Sequence, residues 1–173
     1  KQAIFLFVGV QCVGKSTIFS EILKHRTNIS QCSADIFMGE EFDPMRLISC
    51  HKACQNAVVE AIQSGFHAFV DNTSIIAEHR TIYKILSELL GVDLVVVNVC
   101  SEYWLNCSKD TIVSTLDCLE LRSNRRQVKT GRVITREVIQ RTIYNSCEEI
   151  KNQALLSLQK EIAMALHLKL LQI

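Results

Sequence analysis

The stretch GVQCVGKST, residues 9 to 17, sets two glycines, a lysine and a hydroxyl at the spacing of a phosphate cradle. Gly9, Gly14, Lys15 and Ser16 fit G-x-x-x-x-G-K-[ST]. Glycine reaches backbone conformations that turn successive N–H groups inward, toward the β- and γ-phosphates of a nucleoside triphosphate. Val10, Gln11, Cys12 and Val13 lie between the motif's fixed positions, and Thr17 completes the candidate nucleotide-binding stretch. Lys15 would meet the phosphates and the Ser16 hydroxyl would ligate Mg²⁺, with the positive end of the following helix adding its field. Among the loop amides the Cys12 thiol could ionise and oxidise; a loop position that tolerates most side chains is the plainer reading.

A cradle does not say where the phosphoryl group goes. Asp35, in "SAD", is expected at the end of the second strand, where it would share a crevice with the glycine loop and accept the proton of an attacking hydroxyl. Its alternative is a capping role for the next segment. "FVDNTS" ends an apolar strand in Asp71, the usual place for a carboxylate that supports Mg²⁺ or orders water, and Asn72 and Thr73 follow. A turn-forming Asx cluster is compatible with the same residues. "LRSNRRQVKTGR" concentrates Arg122, Arg125, Arg126, Lys129 and Arg132, suited to a lid over phosphate or to a solvated basic face. A motor or switch would more often carry a glutamate beside the strand acid, where this chain has Asn72.

These residues need a frame. "AIFLFVGV" (3–10) reads as a buried parallel strand feeding the loop, and 16–26 as the helix after it. "ISQCSADIF" (29–37) reads as a shorter strand. A helix over 42–65 is punctuated by Asp43 as N-cap, Pro44 at its first position and Gly65 at its stop. Then come a strand over 66–71, a helix over 77–91, and "VDLVVVNVC" (92–100), the most obvious buried strand in the chain. Residues 101–110 read as an irregular connection, 111–127 as a helix with a basic end, 128–134 as a turn, and Thr135 as the cap of a long helix from Arg136. The alternation predicts an α/β fold, with a parallel sheet covered by helices on both faces. The domain would run over 1–173, with a basic helical lid at 111–134 and a helical, apolar segment at 146–173 that docks on the sheet or on a neighbouring domain. The chain begins with Lys1 almost at the first strand, so it is expected to be one domain of a longer protein.

With 19 Lys and Arg against 18 acids, the net charge of +1 argues against a broad nucleic-acid-coating surface but allows a basic patch at one site. Eight cysteines, several inside apolar patterns, suggest reduced thiols and a cytoplasmic or nuclear setting. Cys50 and Cys54 share a helix face without a second ligand pair at zinc spacing, which favours core packing over metal. No apolar run is long enough for a membrane span.

"GVQCVGKST", "CSADIF", "FDPMRLISCHKACQNAVVEAIQSGFHAFVDNTS" and "LRSNRRQVKTGRVI" together resemble the polynucleotide 5′-hydroxyl kinases. Their relatives include the kinase domains of RNA-repair and tRNA-ligase enzymes and a P-loop domain of cyclic-nucleotide phosphodiesterases. The resemblance spans about residues 3 to 145. It implies a P-loop NTPase-type fold and Mg²⁺-dependent transfer from ATP or GTP to a 5′-hydroxyl RNA or DNA end, RNA favoured. Asp35 then corresponds to the general base, Lys15 and Ser16 to the phosphate and Mg²⁺ residues, and Arg122 and Arg126 to lid arginines that stabilise the transferring group. Asp71, Asn72, Thr73 and His51 fall on the acceptor side, Asp71 doubling as a second metal candidate; a hydrogen-bonded core histidine is the other reading of His51. Two positions depart from the pattern. Met38 stands where some members have an arginine that grips the acceptor's phosphate, and Asp71-Asn72 replaces the more usual Asp-Asp or Ser-Asp. Arg46, Arg80 and Lys52 are the candidate substitutes. Two other functions fit the residues: a kinase for a small hydroxyl compound (nucleoside, sugar or antibiotic), and a nucleotide-binding module that regulates a larger protein.

Overall fold

The opening apolar run forms a strand, β1 (Ala3–Val8), whose side chains serve two faces. Ile4, Leu6 and Val8 point into one hydrophobic cluster and Phe5 and Phe7 into another, the period-two alternation of a strand buried on both sides. In this computed structural model residues 1–99, 108–130, 134–149 and 152 are described, and the side chains of 109–112, 126 and 128–130 are not.

Three more strands, β2 (Ile29–Cys32), β3 (His67–Val70) and β4 (Asp93–Asn98), complete a parallel sheet in the order β2-β3-β1-β4. Register is fixed by pairs such as Leu6 with Val70, Cys32 with Val70 and Leu6 with Val96. Helix α1 (Lys15–Leu23) covers one face, where Phe19 and Phe7 stack on Phe69 at centroid distances of 4.4 and 4.3 Å. Helices α3 (Leu47–Gln63) and α4 (Ala77–Leu90) cover the other face, with Cys54, Val58 and Ile62 of α3 and Tyr83 of α4 in its core. A short α2 (Ala34–Met38) and one 3-10 turn, Pro44–Arg46, precede α3. Asp43 caps that turn, its carboxylate accepting from the Met45 N–H at 2.9 Å.

Helix α5 (Lys109–Thr130) and a helix over 136–149, α6, pack Leu116, Leu119, Ile139 and Ile143 onto the α3–α4 cluster. Ser123, fully buried, donates to the Ile134 carbonyl at 2.8 Å and accepts its N–H at 3.1 Å, which pins the return from α5 to α6. Arg136 ties the two helices again through Asp117 and Glu120 at 2.6 and 2.9 Å.

The structure differs from the sequence expectations at three places. Asp35 is not at a strand end: β2 stops at Cys32, Ser33 accepts the Asp35 N–H at 3.3 Å, and Asp35 lies in the first turn of α2. The strand β4 is not a buried one: its residues are exposed or partly so. It pairs with β1 alone among the described residues, and Val95 and Val96 are 38% and 44% exposed. Residues 128–130, expected in a turn, continue α5. The predicted connection at 101–107, the end of the 128–134 turn and the tail segment from 150 on, Asn152 apart, lie outside the described residues. No helix of the described residues is long and apolar enough to cross a membrane.

Candidate active site

The carboxyl ends of β1, β2 and β3 open onto a cavity of about 1840 Å³, lined by residues 11–18, by Asp35 and Met38, and by parts of α3, α4, α5 and α6. Strand ends meet helix starts here, the crevice where parallel α/β sheets hold ligands.

Its floor is the glycine loop. Gly14 adopts φ +109°, a conformation that L side chains rarely reach, and turns the chain into α1. Gly9 is required by space: a Cβ there would lie 3.0 Å from the Val99 carbonyl oxygen, at the end of β4. Between them Cys12 takes φ +62°. The buried Lys15 ammonium donates to the carbonyls of Gly9 and Val10, both at 2.8 Å, so the lysine lies folded over its own loop. Ser16 donates its hydroxyl proton to a carboxylate oxygen of Asp71, and Gln31 approaches the same oxygen at 3.5 Å. Two hard oxygens, from α1 and from the end of β3, thus converge at the mouth of the loop. Gln11 adds a buried amide oxygen without a hydrogen-bond partner, an acceptor that a bound group would satisfy. This donor set fits a hydrated Mg²⁺ beside a nucleotide's phosphates.

Three consecutive residues after β3 each hold a different part of the site. Asp71 receives Ser16. Asn72, 9% exposed, accepts the Ala34 N–H at 3.0 Å through its amide oxygen and donates to the Tyr83 hydroxyl at 3.1 Å and Cys54 Sγ at 3.5 Å. Thr73 accepts the Gly9 N–H on its carbonyl at 3.1 Å. Asn72 therefore ties the start of α2, the helix that carries Asp35, to α3 and α4. Burial, with Cys54 and Glu60 adding, pushes the Cys32 thiol up to about 12, and burial raises the Cys54 thiol and the Tyr83 hydroxyl as well. Replacing Asn72 by leucine orphans the Ala34 N–H, at roughly 1–3 kcal/mol, and leaves the Tyr83 hydroxyl with Cys54 Sγ at 3.6 Å as its partner. The variant is expected to melt several degrees lower, at about 2–4 °C per kcal/mol for a domain of this size. Thermal unfolding checks this; an unchanged Tm would remove the buried amide from the design of the site.

Over the cradle, Arg122 of α5 reaches the Cys12 carbonyl at 3.4 Å, so the basic helix leans on the glycine loop. Arg126 belongs to the same helix; its side chain lies outside the described residues, as do those of Lys129 and Arg132. His51 is on the cavity wall and solvent-exposed rather than in the core. His79 and Arg141 line the same cavity and were not anticipated, for neither belongs to a local motif. Of the candidate substitutes for an arginine at position 38, Arg46 donates to the Phe37 and Met38 carbonyls at 3.0 and 3.4 Å. Arg80 is spent on the Ser74 and Ile75 carbonyls and a half-buried ion pair with Glu149 at 2.9 Å. Lys52 lines the cavity.

A chain of the Pnkp1/Rnl/Hen1 RNA repair complex superposes on 87% of this chain with a TM-score of 0.67, at 15% sequence identity. The two share an α/β fold, a parallel sheet with helices on both faces. The match covers 46% of that chain, so this sequence spans about half its length. The APS kinase CysC of Mycobacterium tuberculosis matches 57% of this chain and 76% of its own at 17% identity, with a TM-score of 0.47. No family model and no curated protein matches the sequence. In this fold Gly9–Gly14 connect β1 to α1, which Lys15 and Ser16 open.

Proposed function

We propose that this domain transfers the γ-phosphoryl group of ATP or GTP, with Mg²⁺, to the 5′-hydroxyl of a polynucleotide end, RNA favoured. The observation that carries the reading is that Asp35 and the phosphate cradle, 20 residues apart in sequence, line one cavity with a basic helix leaning over it. A carboxylate on α2 opposite the loop can take the proton of an entering hydroxyl, while Lys15 and the loop amides hold the donor's β- and γ-phosphates. Ser16 and Asp71 would hold the metal ion, which when bound neutralises charge on the phosphate oxygens. Arg122, and Arg126 on the same helix, would close on the charge spread over the transferring group, where a guanidinium's planar fork is most effective. The likeness in fold to a chain of an RNA repair complex supports a nucleic-acid acceptor. The cysteine content supports work in a reducing compartment, cytoplasm or nucleus.

The test is transfer of label from [γ-³²P]ATP or [γ-³²P]GTP, with Mg²⁺, to a short 5′-hydroxyl RNA. Labelled RNA from the wild type and none from Asp35→Ala is the expected result. Nucleotide binding without transfer to RNA, DNA or small hydroxyl compounds would sink the proposal and leave a regulatory nucleotide-binding module. Transfer to a small compound alone would make it a small-molecule kinase.

A further inference from the structure

The active-site cavity lies at the carboxyl ends of the strands. A second, smaller cavity of about 280 Å³ opens at their amino ends, beside the last turn of α1. Ile29 and His67 begin β2 and β3, and Arg26 belongs to the link between α1 and β2. The lining grades from apolar to cationic. Phe7 and Phe69, both buried, form its back. Phe5, Ile22 and His67 are half-buried, with the Phe5 and His67 rings 5.8 Å apart, and Arg26 is exposed at the mouth. His67 accepts the Ala3 N–H on Nδ1 at 3.1 Å, which puts the proton of the neutral imidazole on Nε2, a donor. Among the described residues no acidic side chain lines this cavity. Lys24, two residues before Arg26, pairs with Glu21 at 2.6 Å, whereas the Arg26 guanidinium makes no ion pair among the described residues. A ring-lined interior with an uncommitted cation at its mouth suits a ligand that is flat and apolar at one end and anionic at the other.

We infer that this cavity is a second ligand site, which takes a small aromatic carboxylate of one or two fused rings. The ring system lies against Phe5, Phe7 and Phe69. The carboxylate meets the planar fork of Arg26, which can donate to both of its oxygens. The volume falls just short of the roughly 300 Å³ at which ligand pockets begin, which holds a ring and its acid but not a base, sugar and phosphates together. The site stands independently of phosphoryl transfer, because the sheet separates it from the glycine loop along the full length of the strands.

Calorimetric titration with 2-naphthoate and, separately, with its uncharged amide tests the assignment. The wild type is expected to bind the acid saturably and about fivefold or more tighter than the amide, a modest margin because the mouth is open to water. Arg26→Gln should bring the ratio within about twofold while leaving the affinity for the amide unchanged. Ile22→Trp fills the interior from α1 and should abolish binding of both compounds. Arg26 is exposed and unpaired among the described residues, so its variant should unfold at the wild-type temperature, and it keeps the test decisive if Ile22→Trp destabilises the protein. No saturable binding by the wild type, equal affinity for acid and amide, a preference that survives Arg26→Gln, or undiminished binding by a folded Ile22→Trp would each overturn the site.

Discussion

Asp35→Ala is expected to lower phosphoryl transfer by about 10²–10⁴-fold, the range for loss of a positioned general base, while nucleotide affinity stays within a few-fold. The separation follows from where the residue sits. Asp35 belongs to α2, held by Ser33 and Asn72, whose side chains bond to Asp35, the Asp71 carbonyl, Ala34, Cys54 and Tyr83. Its backbone does structural work whatever the side chain, since its N–H donates to the Ser33 hydroxyl and its carbonyl accepts the Gly39 N–H, both at 3.3 Å. Alanine is a good helix residue, so α2 should persist. Asp35→Asn keeps the shape and removes the basicity, and should be equally inactive. Single-turnover transfer measured beside nucleotide titration separates the two quantities. Parallel losses in both would refute the base assignment.

Lys15→Ala should weaken both. The ammonium is buried and already charge-paired with two carbonyl dipoles, so a bound triphosphate has to draw it off them, replacing those bonds with charge-assisted ones to phosphate. Such bonds contribute roughly 1.5–3 kcal/mol, which predicts a nucleotide Kd about 10–150-fold higher. Transfer should fall further, because the same charge meets the developing charge of the transition state. Lys15→Met keeps the stem against the loop and loses only the charge, and should match alanine. If either variant bound nucleotide as the wild type does, the loop would not be a phosphate cradle.

The donor half of this site was legible in the sequence because it is local. An apolar run, a glycine motif and an amphipathic helix are contiguous, and β1, the loop and α1 appear at those residues. Asp35 was picked out correctly as a cavity residue but placed on the wrong element. Ser33 two positions earlier is a capping signal, and in an apolar context it competes with a strand reading. The misjudged burial of β4 has a different cause: LVVV reads the same on a central strand as on one that pairs with β1 alone, since the pattern records what a strand prefers and not what lies beside it. Asn72 depends on Tyr83 and Cys54, and Arg80 on Glu149, partners 11, 18 and 69 positions away. No window short enough to read as a motif contains them. For the same reason Lys52 looked equivalent to Arg46 and Arg80 until their hydrogen bonds were known.

The run Asp71-Asn72-Thr73 has a consequence for how the molecule opens. One residue clasps α1, the next α2 and α4, the third the glycine loop, so the backbone there cannot loosen for one element alone. The glycine loop and α2 should therefore breathe together, as a single cooperative unit of local unfolding. Amide hydrogen exchange would register this as matched protection of Gly9 and Ala34, whose N–H groups end on neighbouring residues of the run, and as matched loss in Asn72→Leu. Divergent exchange at those two amides would mean that the loop and α2 come apart separately.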